Sequence, residues 1–302
     1  MSRFTFILNP IAGKGSGRRI RDNVDRILKQ RTSDFELLET RGPGDATEIA
    51  RHSSSPIVVA VGGDGTIHEV ANGIIGSQKV LGVIPVGSGN DFIKSVGVPK
   101  DLSQSISTIL LGKTTTIDVG RVEVEAHGSN QQSNSSASFF VNGLGIGFDA
   151  AVAEQSRHVS IVSGSLVYLV AVLQTLGRYR SPQFFISIDG KESTSRNLLI
   201  ALGNGKCAGG GFYLTPDAKV DDGILDICLI KELSTLGILR LMPRVLKGKH
   251  REEPCVRFEK GQHISITASS RVSVHSDGEI LSADITRLQI DVVPKALSVI
   301  VA

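Results

Sequence analysis

Apolar and polar positions alternate in blocks along the first third of the chain. FTFIL (Phe4 to Leu8) reads as a strand and the basic stretch after Gly17 as a helix. FELLET (Phe35 to Thr40) reads as a second strand and GDATEIARH (Gly44 to His52) as a helix. IVVAV (Ile57 to Val61) is a continuous apolar run, the pattern of a strand covered on both faces. Thr66 to Ile75 is helical, VLGVIPV (Val80 to Val86) a strand, and Asp101 to Gly112 a helix. This βαβα rhythm predicts an α/β domain on a parallel, doubly wound sheet, whose ligands lie at the carboxyl ends of the strands.

After about residue 115 the period changes to two. Thr115 to Ala126 alternates like an antiparallel strand, and a polar, low-complexity loop follows (His127 to Ser138). SFFVNGLGIGFDA returns as a strand. Two helical segments come next, Asp149 to His158 and Gly164 to Tyr179. Strands FFISIDG, NLLIALGNG and ILDICLI, a helix over Ser234 to Lys247, and strands CVRFE, HISITA, VSVHS, LQIDVV and LSVIV complete a mostly β second domain. No internal repeat is present.

Composition narrows the class. Hydrophobic residues make up 40% and charged residues 21%, ordinary for a globular protein with a sizeable core. The 33 glycines cluster in turns without a period, which excludes collagen-like chains. A net charge of +3 is too small to imply nucleic acid. Two basic stretches stand out: Gly17 to Arg31, suited to nucleotide phosphates, and Arg240 to Arg251, acid-free and suited to anionic lipid. Each also fits a solvated helix face. Three scattered cysteines without a CxxC fit a reducing cytoplasm. The N-terminus lacks a signal-peptide pattern, and the greasiest stretch, Val159 to Leu176, carries serines and reads as a buried helix.

Three glycine-rich turns follow three strands of the first domain, so all fall on one edge. NPIAGKGSG (Asn9 to Gly17) leads into a basic helix, where backbone N–H groups suit a phosphate; it completes neither a Walker A loop nor GxGxxG. GGDGTIHEV (Gly62 to Val70) sets Asp64 among glycines that let a ligand approach the backbone, with Glu69 one turn on; His68 reads as structural. PVGSGNDF (Pro85 to Phe92) repeats the device with Ser88, Asn90 and Asp91. In the second domain, VDDG (Val220 to Gly223) reads as a tight turn or a cation site, since Asp221 and Asp222 repel. SDGE (Ser276 to Glu279) carries a hairpin turn signal.

In this order and at these spacings, NPIAGKG, GGDGTIHEVANG and PVGSGNDF resemble the catalytic domain shared by diacylglycerol kinases, sphingosine kinases and the bacterial soluble lipid kinases, the bacterial branch above all. The resemblance continues through Leu202 to Ile230 and HSDGE, so it spans nearly the whole chain. It implies a nucleotide domain of the NAD-kinase/phosphofructokinase-like type over 1–120, with 286–302 packing back onto it, and a sandwich-like lipid domain over 121–285. It implies ATP contacts at Asn9, Lys14, Thr40, Gly63, Asp64, Gly65, Thr66, Glu69 and Ser88. Ser88 stands where the commonest bacterial form has Thr, and the hydroxyl is kept. It implies a structural Mg²⁺ on Asp222 and the carbonyls of Lys219 and Ile224, an all-oxygen set. It implies catalytic acids at Asp277, with Glu279 beside it, or at Asp64, in a cleft between the domains. The implied activity is ATP- and Mg²⁺-dependent phosphorylation of a lipid hydroxyl, most simply diacylglycerol, by a cytoplasmic protein that visits the inner face of the membrane and admits a homodimer. Two other readings share parts of the pattern: an NAD kinase-like phosphotransferase, which shares GGDGT, and a non-catalytic nucleotide- or lipid-binding regulator.

Overall fold

The computed structural model describes residues 2–87, 89–126, 137–156, 172, 174–176 and 179–302, the side chains of 14–18, 125–126 and 156 excepted. The predicted polar loop and the helix expected over Gly164 to Tyr179 lie largely outside the described residues. The chain divides into two compact units, Met1–Asp118 with Pro294–Ala302, and Val119–Val293.

The first unit is a parallel sheet of β1 (Phe4–Leu8), β2 (Phe35–Glu39), β3 (Ile57–Gly62) and β4 (Val80–Pro85), in the order β2–β1–β3–β4. Beyond β4 the end of the last strand, β13 (Glu279–Ile300), pairs in parallel through Ser298↔Val80. Every residue of β3 is buried, as its unbroken apolar run requires. Helices α1 (Ala12–Arg31), α2 (Asp45–His52), α3 (Asp64–Ile74), α4 (Asp91–Val96) and α5 (Leu102–Leu111) cover the sheet. Val24 and Leu28 of α1 pack on Phe4, Phe6 and Val59. Arg31 ties α1 to α5 through Ser107 Oγ at 2.6 Å and Ser103 Oγ at 2.8 Å. Asp101 caps α5 by accepting the Gln104 N–H at 2.9 Å.

Two helices begin earlier than the sequence pattern predicts. The one expected after Gly17 opens at Ala12, so the glycine-rich stretch lies within α1, with Gly13 in the left-handed region at φ 57°. The one expected from Thr66 opens at Asp64, which makes Asp64 and Gly65 part of its first turn. Glycine's low helix propensity hides both starts. The strand order reverses direction between β1 and β3, and the crevice outside the carboxyl ends at such a switch point is where doubly wound sheets bind ligands.

The second unit is antiparallel. It contains β5 (Thr114–Ala126) from Val119 onward, β6 (Ser138–Phe140), β7 (Gly143–Gly147), β8 (Gln183–Ile188), β9 (Lys191–Gly203), β10 (Leu225–Lys231), β11 (Val256–Gly261), β12 (His263–Ser276) and most of β13. The order runs β11–β10–β9–β7–β12–β13. β8 also pairs with both β9 and β12, so β7 and β8 lie end to end between two long strands. Ile146, Ile200, Leu202, Ile227, Val274 and Leu288 are buried in its core. Helices α6 (Phe148–Ser156) and α7 (Thr235–Leu246) pack on this unit. HISITA and VSVHS, which read as separate strands, are one strand whose register shifts between Thr267 and Val272.

Candidate active site

Six of the predicted nucleotide residues meet at the carboxyl edge of the parallel sheet. Asn9 follows β1; its Oδ1 accepts the Ile11 N–H at 3.1 Å and its Nδ2 donates to Thr66 Oγ1 at 3.1 Å. Thr66 is buried in the first turn of α3 and fits only because residue 62 is glycine: a Cβ there would sit 2.3 Å from Thr66 Oγ1. A Cβ on Gly87 would lie 2.8 Å from the Gly63 Cα, so the turns after β3 and β4 touch backbone to backbone. Thr40, directly after β2, donates its N–H to Leu8 O at 2.9 Å and joins the same edge. Gly63, Asp64 and Gly65 form the cap and first turn of α3, whose N–H groups have no intrahelical partners. Lys14 lies in the first turn of α1; its side chain and the whole of Ser88 are outside the described residues.

Asp64 joins two turns. Its Oδ1 accepts the N–H groups of Asp91 at 2.9 Å and Phe92 at 3.3 Å, the start of α4. Asp91 is itself buried and takes the Lys94 ammonium at 2.7 Å. Glu69 was expected at the nucleotide, but its two oxygens accept the N–H groups of Gly44 at 3.0 Å and Ala46 at 3.1 Å. It anchors the start of α2 and, through it, the segment after Thr40. Glu69→Ala leaves those donors without a charged acceptor and should lower stability by about 1–3 kcal/mol, with Glu69→Gln in between. Urea unfolding reads this directly, and an unchanged midpoint would remove the anchoring role.

In the second unit, Asp277 and Gly278 form the two-residue turn between β12 and β13, with φ 51° and 90° and the flanking pair Ser276↔Glu279. The hairpin signal in SDGE is therefore real, and it does not exclude a further role. Asp277 is 9% exposed. Its Oδ2 accepts the Val141 N–H at 3.0 Å, and its Oδ1 accepts those of Asn142 and Gly143, each at 2.9 Å. Three backbone donors thus converge on one carboxylate and hold the 141–143 segment. Glu279, at the start of β13, is exposed.

Beside this turn lies a pair that no local pattern in the sequence marks. His275 and Asp149 are both buried, with Nε2 and Oδ2 3.3 Å apart. The Gly278 N–H donates to His275 Nδ1 at 3.2 Å, which assigns the ring proton to Nε2 and makes it the donor to Asp149. Gly145 makes room: a Cβ there would lie 2.2 Å from both partners. Among the described residues Asp149 is also the one charged residue on the wall of a cavity otherwise lined by apolar side chains, among them Phe148, Leu198, Phe212, Ile230, Leu241 and Val245. The Tyr179 ring meets Phe148 edge-on at 5.5 Å, and its buried hydroxyl has no hydrogen-bond partner among the described residues. Burial, reinforced by the Asp149 charge, pushes this phenol well above its ordinary value and keeps it a neutral donor.

The predicted cation loop precedes β10. Gly223, at φ 77°, turns the chain between Asp222 and Ile224, and its carbonyl accepts from Gln262 Nε2 at 2.9 Å. Lys260 Nζ lies 3.0 Å from Asp226 and 4.0 Å from Asp222. Burial pushes the Asp226 carboxyl up, Lys260 opposes this, and the charges of Asp222 and Asp217 add to it. Lys260 is shared between Asp226 and Asp222, and the Asp222 carboxylate with the carbonyls of Lys219 and Ile224 offers only oxygen ligands, so the residues fit a hard divalent cation. Among the described residues no group of three or more His, Cys, Asp or Glu side chains is arranged to hold a metal ion, which leaves carbonyls to complete any such site.

Comparison with known proteins covers both units. Residues 3–122 match the diacylglycerol kinase catalytic domain, and residues 143–301 match the YegS C-terminal NAD kinase beta sandwich-like domain. A diacylglycerol kinase from Mycobacterium tuberculosis (strain ATCC 25618 / H37Rv) is 30% identical over 309 residues, covering 99% of this chain and 95% of the relative. One from Bacillus subtilis (strain 168) is 27% identical over 286 residues, covering 92% and 90%. A solved structure from Bacillus anthracis str. Sterne superposes with a TM-score of 0.77 at 26% identity, covering 100% of this chain and 98% of that one. An α/β unit of the diacylglycerol kinase catalytic type, a β-rich sandwich-like unit and near-complete coverage by curated relatives all agree: the chain belongs to the bacterial diacylglycerol kinase family and is a lipid kinase.

Proposed function

We propose that the protein transfers the γ-phosphoryl group of ATP, with Mg²⁺, to the free hydroxyl of diacylglycerol, giving phosphatidic acid. The observation that carries the acceptor side is the apolar cavity of the second unit, where among the described residues Asp149 is the one charged group on the wall. Such a lining suits acyl chains and is unsuited to a dinucleotide, which disfavours the NAD kinase-like reading. Tyr179 supplies a neutral O–H near the cavity, matched to an ester carbonyl, which only accepts.

On the nucleotide side, phosphoryl transfer demands alignment and charge compensation more than covalent chemistry. The N–H groups at the start of α3 receive phosphate oxygens, and Gly63 and Gly65 let the phosphates approach the backbone. Asn9 and Thr66 brace that turn through their mutual hydrogen bond. Thr40 and Ser88 offer hydroxyls to the nucleotide, and Lys14 a positive charge. Asp64 takes the proton of the lipid hydroxyl. Asp277 acts as a positioning residue through the 141–143 segment, with the Asp149–His275 pair steadying the same hairpin. Glu69 supports the nucleotide edge from behind through α2. Asp222 with the carbonyls of Lys219 and Ile224 would hold a structural Mg²⁺, and Mg²⁺ bound with the nucleotide would supply charge compensation for the transferring phosphates. The enzyme meets its substrate at a membrane surface, since the acceptor lipid resides there.

The test is a labelled-ATP assay in mixed micelles, offering diacylglycerol, a sphingoid base, ceramide and phosphatidylglycerol separately, with NAD in solution. Label in phosphatidic acid, dependent on Mg²⁺, is the expected result. Label in another lipid would change the acceptor, and label in NADP would overturn the lipid reading.

A further inference from the structure

The helix α7 has two unlike faces. Ile238, Leu241 and Val245 are buried, and with Met242 they line the apolar cavity described above. At about 100° of turn per residue, these positions share one side of the helix. Away from that side, Leu236 at 57% exposure lies opposite it, and Leu239 at 37% and Leu246 at 44% lie between the two. Arg240 and Lys247 are interleaved among these leucines, and Lys249 follows just past the helix end; all three are exposed. The stretch 235–251 contains no Asp or Glu. Arg244 is engaged by Glu253 and Arg251 by Asp217, whereas Arg240, Lys247 and Lys249 have no carboxylate partner among the described residues. Among the described residues, no helix is long and apolar enough to cross a membrane.

We infer that the outer face of α7 is an interfacial docking surface for an anionic lipid bilayer. Three exposed leucines along one helix face form a strip that inserts among acyl chains. The interleaved cations attract acidic headgroups and anchor at their level. A second copy of this chain is a poor occupant: a two-fold contact through this face would set Arg240 and Lys247 against their own counterparts. An acidic partner protein would match the charges but has no matching use for the leucines. The inner face of the same helix walls the cavity assigned to the acyl chains, so docking sets the cavity wall against the layer that holds the substrate. This last link rests on the acceptor reading above; the docking surface itself does not.

The experiment is flotation of the full chain, without ATP, with vesicles of phosphatidylcholine alone or enriched in phosphatidylglycerol. Two triple variants are compared: Leu236→Ser with Leu239→Ser and Leu246→Ser, and Arg240→Gln with Lys247→Gln and Lys249→Gln. The wild-type chain should float with the anionic vesicles, less so as salt rises. Each variant should lose about 10-fold or more of that binding. Their melting curves and turnover of a dispersed short-chain diacylglycerol should match wild type, which separates lost docking from lost folding. Variants that float like wild type, or wild-type binding indifferent to charge and salt, overturn the inference. So does a wild-type dimer that the variants convert to monomer with vesicle binding intact. Face-dependent flotation with no lipid phosphorylated would sink the acceptor reading alone, and the converse result would sink the docking surface alone.

Discussion

Asp277→Ala is expected to cost both turnover and fold. The substitution strands three buried N–H groups, those of Val141, Asn142 and Gly143, that now converge on one carboxylate. Hydrogen bonds to a charged acceptor contribute about 1.5–3 kcal/mol each, and they share a single group, so a loss of about 3–5 kcal/mol is expected. Alanine also tolerates the left-handed turn position less well than aspartate, adding about 1 kcal/mol. Against a total of about 5–15 kcal/mol, this change lowers the unfolding midpoint severely. The informative companion is Asp277→Asn. It keeps one oxygen for Asn142 and Gly143 and loses the acceptor for Val141. If Asp277 only positions, the Asn variant retains substantial turnover and an unaltered pH–rate profile. Loss of about 10²–10⁴-fold in a folded Asn variant, together with loss of a limb of the profile, would make Asp277 the proton acceptor instead.

Asp64→Asn should behave in the opposite way. Asparagine keeps an oxygen for the Asp91 and Phe92 N–H groups, so the two turns stay joined and unfolding shifts little. What disappears is the group proposed to take the hydroxyl proton. Turnover should fall by about 10²–10⁴-fold while the KM for ATP stays near its wild-type value. Steady-state kinetics with saturating lipid make the separation. Near wild-type turnover would move the proton acceptor elsewhere, with Asp277 next in line. A raised KM for ATP at normal turnover would make Asp64 a nucleotide-binding residue only. Asp64→Ala removes the bridge as well and should add a stability loss of about 1–2 kcal/mol.

The parallel half of the fold is written in local pattern. IVVAV announces a strand buried on both faces, and β3 has no exposed residue. The glycine turns fall on one edge because strands of a parallel sheet all end on the same side. Helix starts were hidden where glycine occupies the first turn, as at Gly13 and Gly65. α4 went unread because six residues are too few for a helical period to emerge. In the second unit the strands were visible but their partners were not: β7 pairs with β9 and β12, more than fifty residues downstream.

Partnerships across long separations explain the rest. Glu69 looked like a nucleotide contact, and only the folded chain brings it to Gly44 and Ala46. His275 and Asp149 lie 126 positions apart, and neither has a neighbour in sequence that hints at the other. Lys260, which partly answers the acid of Asp222, comes from the strand paired with β10. The hairpin at Asp277 was legible from Asp-Gly alone, but the inward aim of its carboxylate depends on the distant 141–143 backbone.

The first unit is split in sequence, and this has a consequence at the ribosome. β4 gains its outer neighbour only when Ser298 and Val299 are in place, and the Val301 N–H then bonds Lys113 O at 2.9 Å. All of the second unit is translated in between. At about 5–20 residues per second, the edge of β4 waits roughly 10–40 s for that partner. Nearly all of the second unit emerges during this interval, while the nucleotide unit still presents an open strand edge. An open parallel edge is a template for wrong pairing. Slow or stalled translation of the second unit therefore threatens the first unit more than the second.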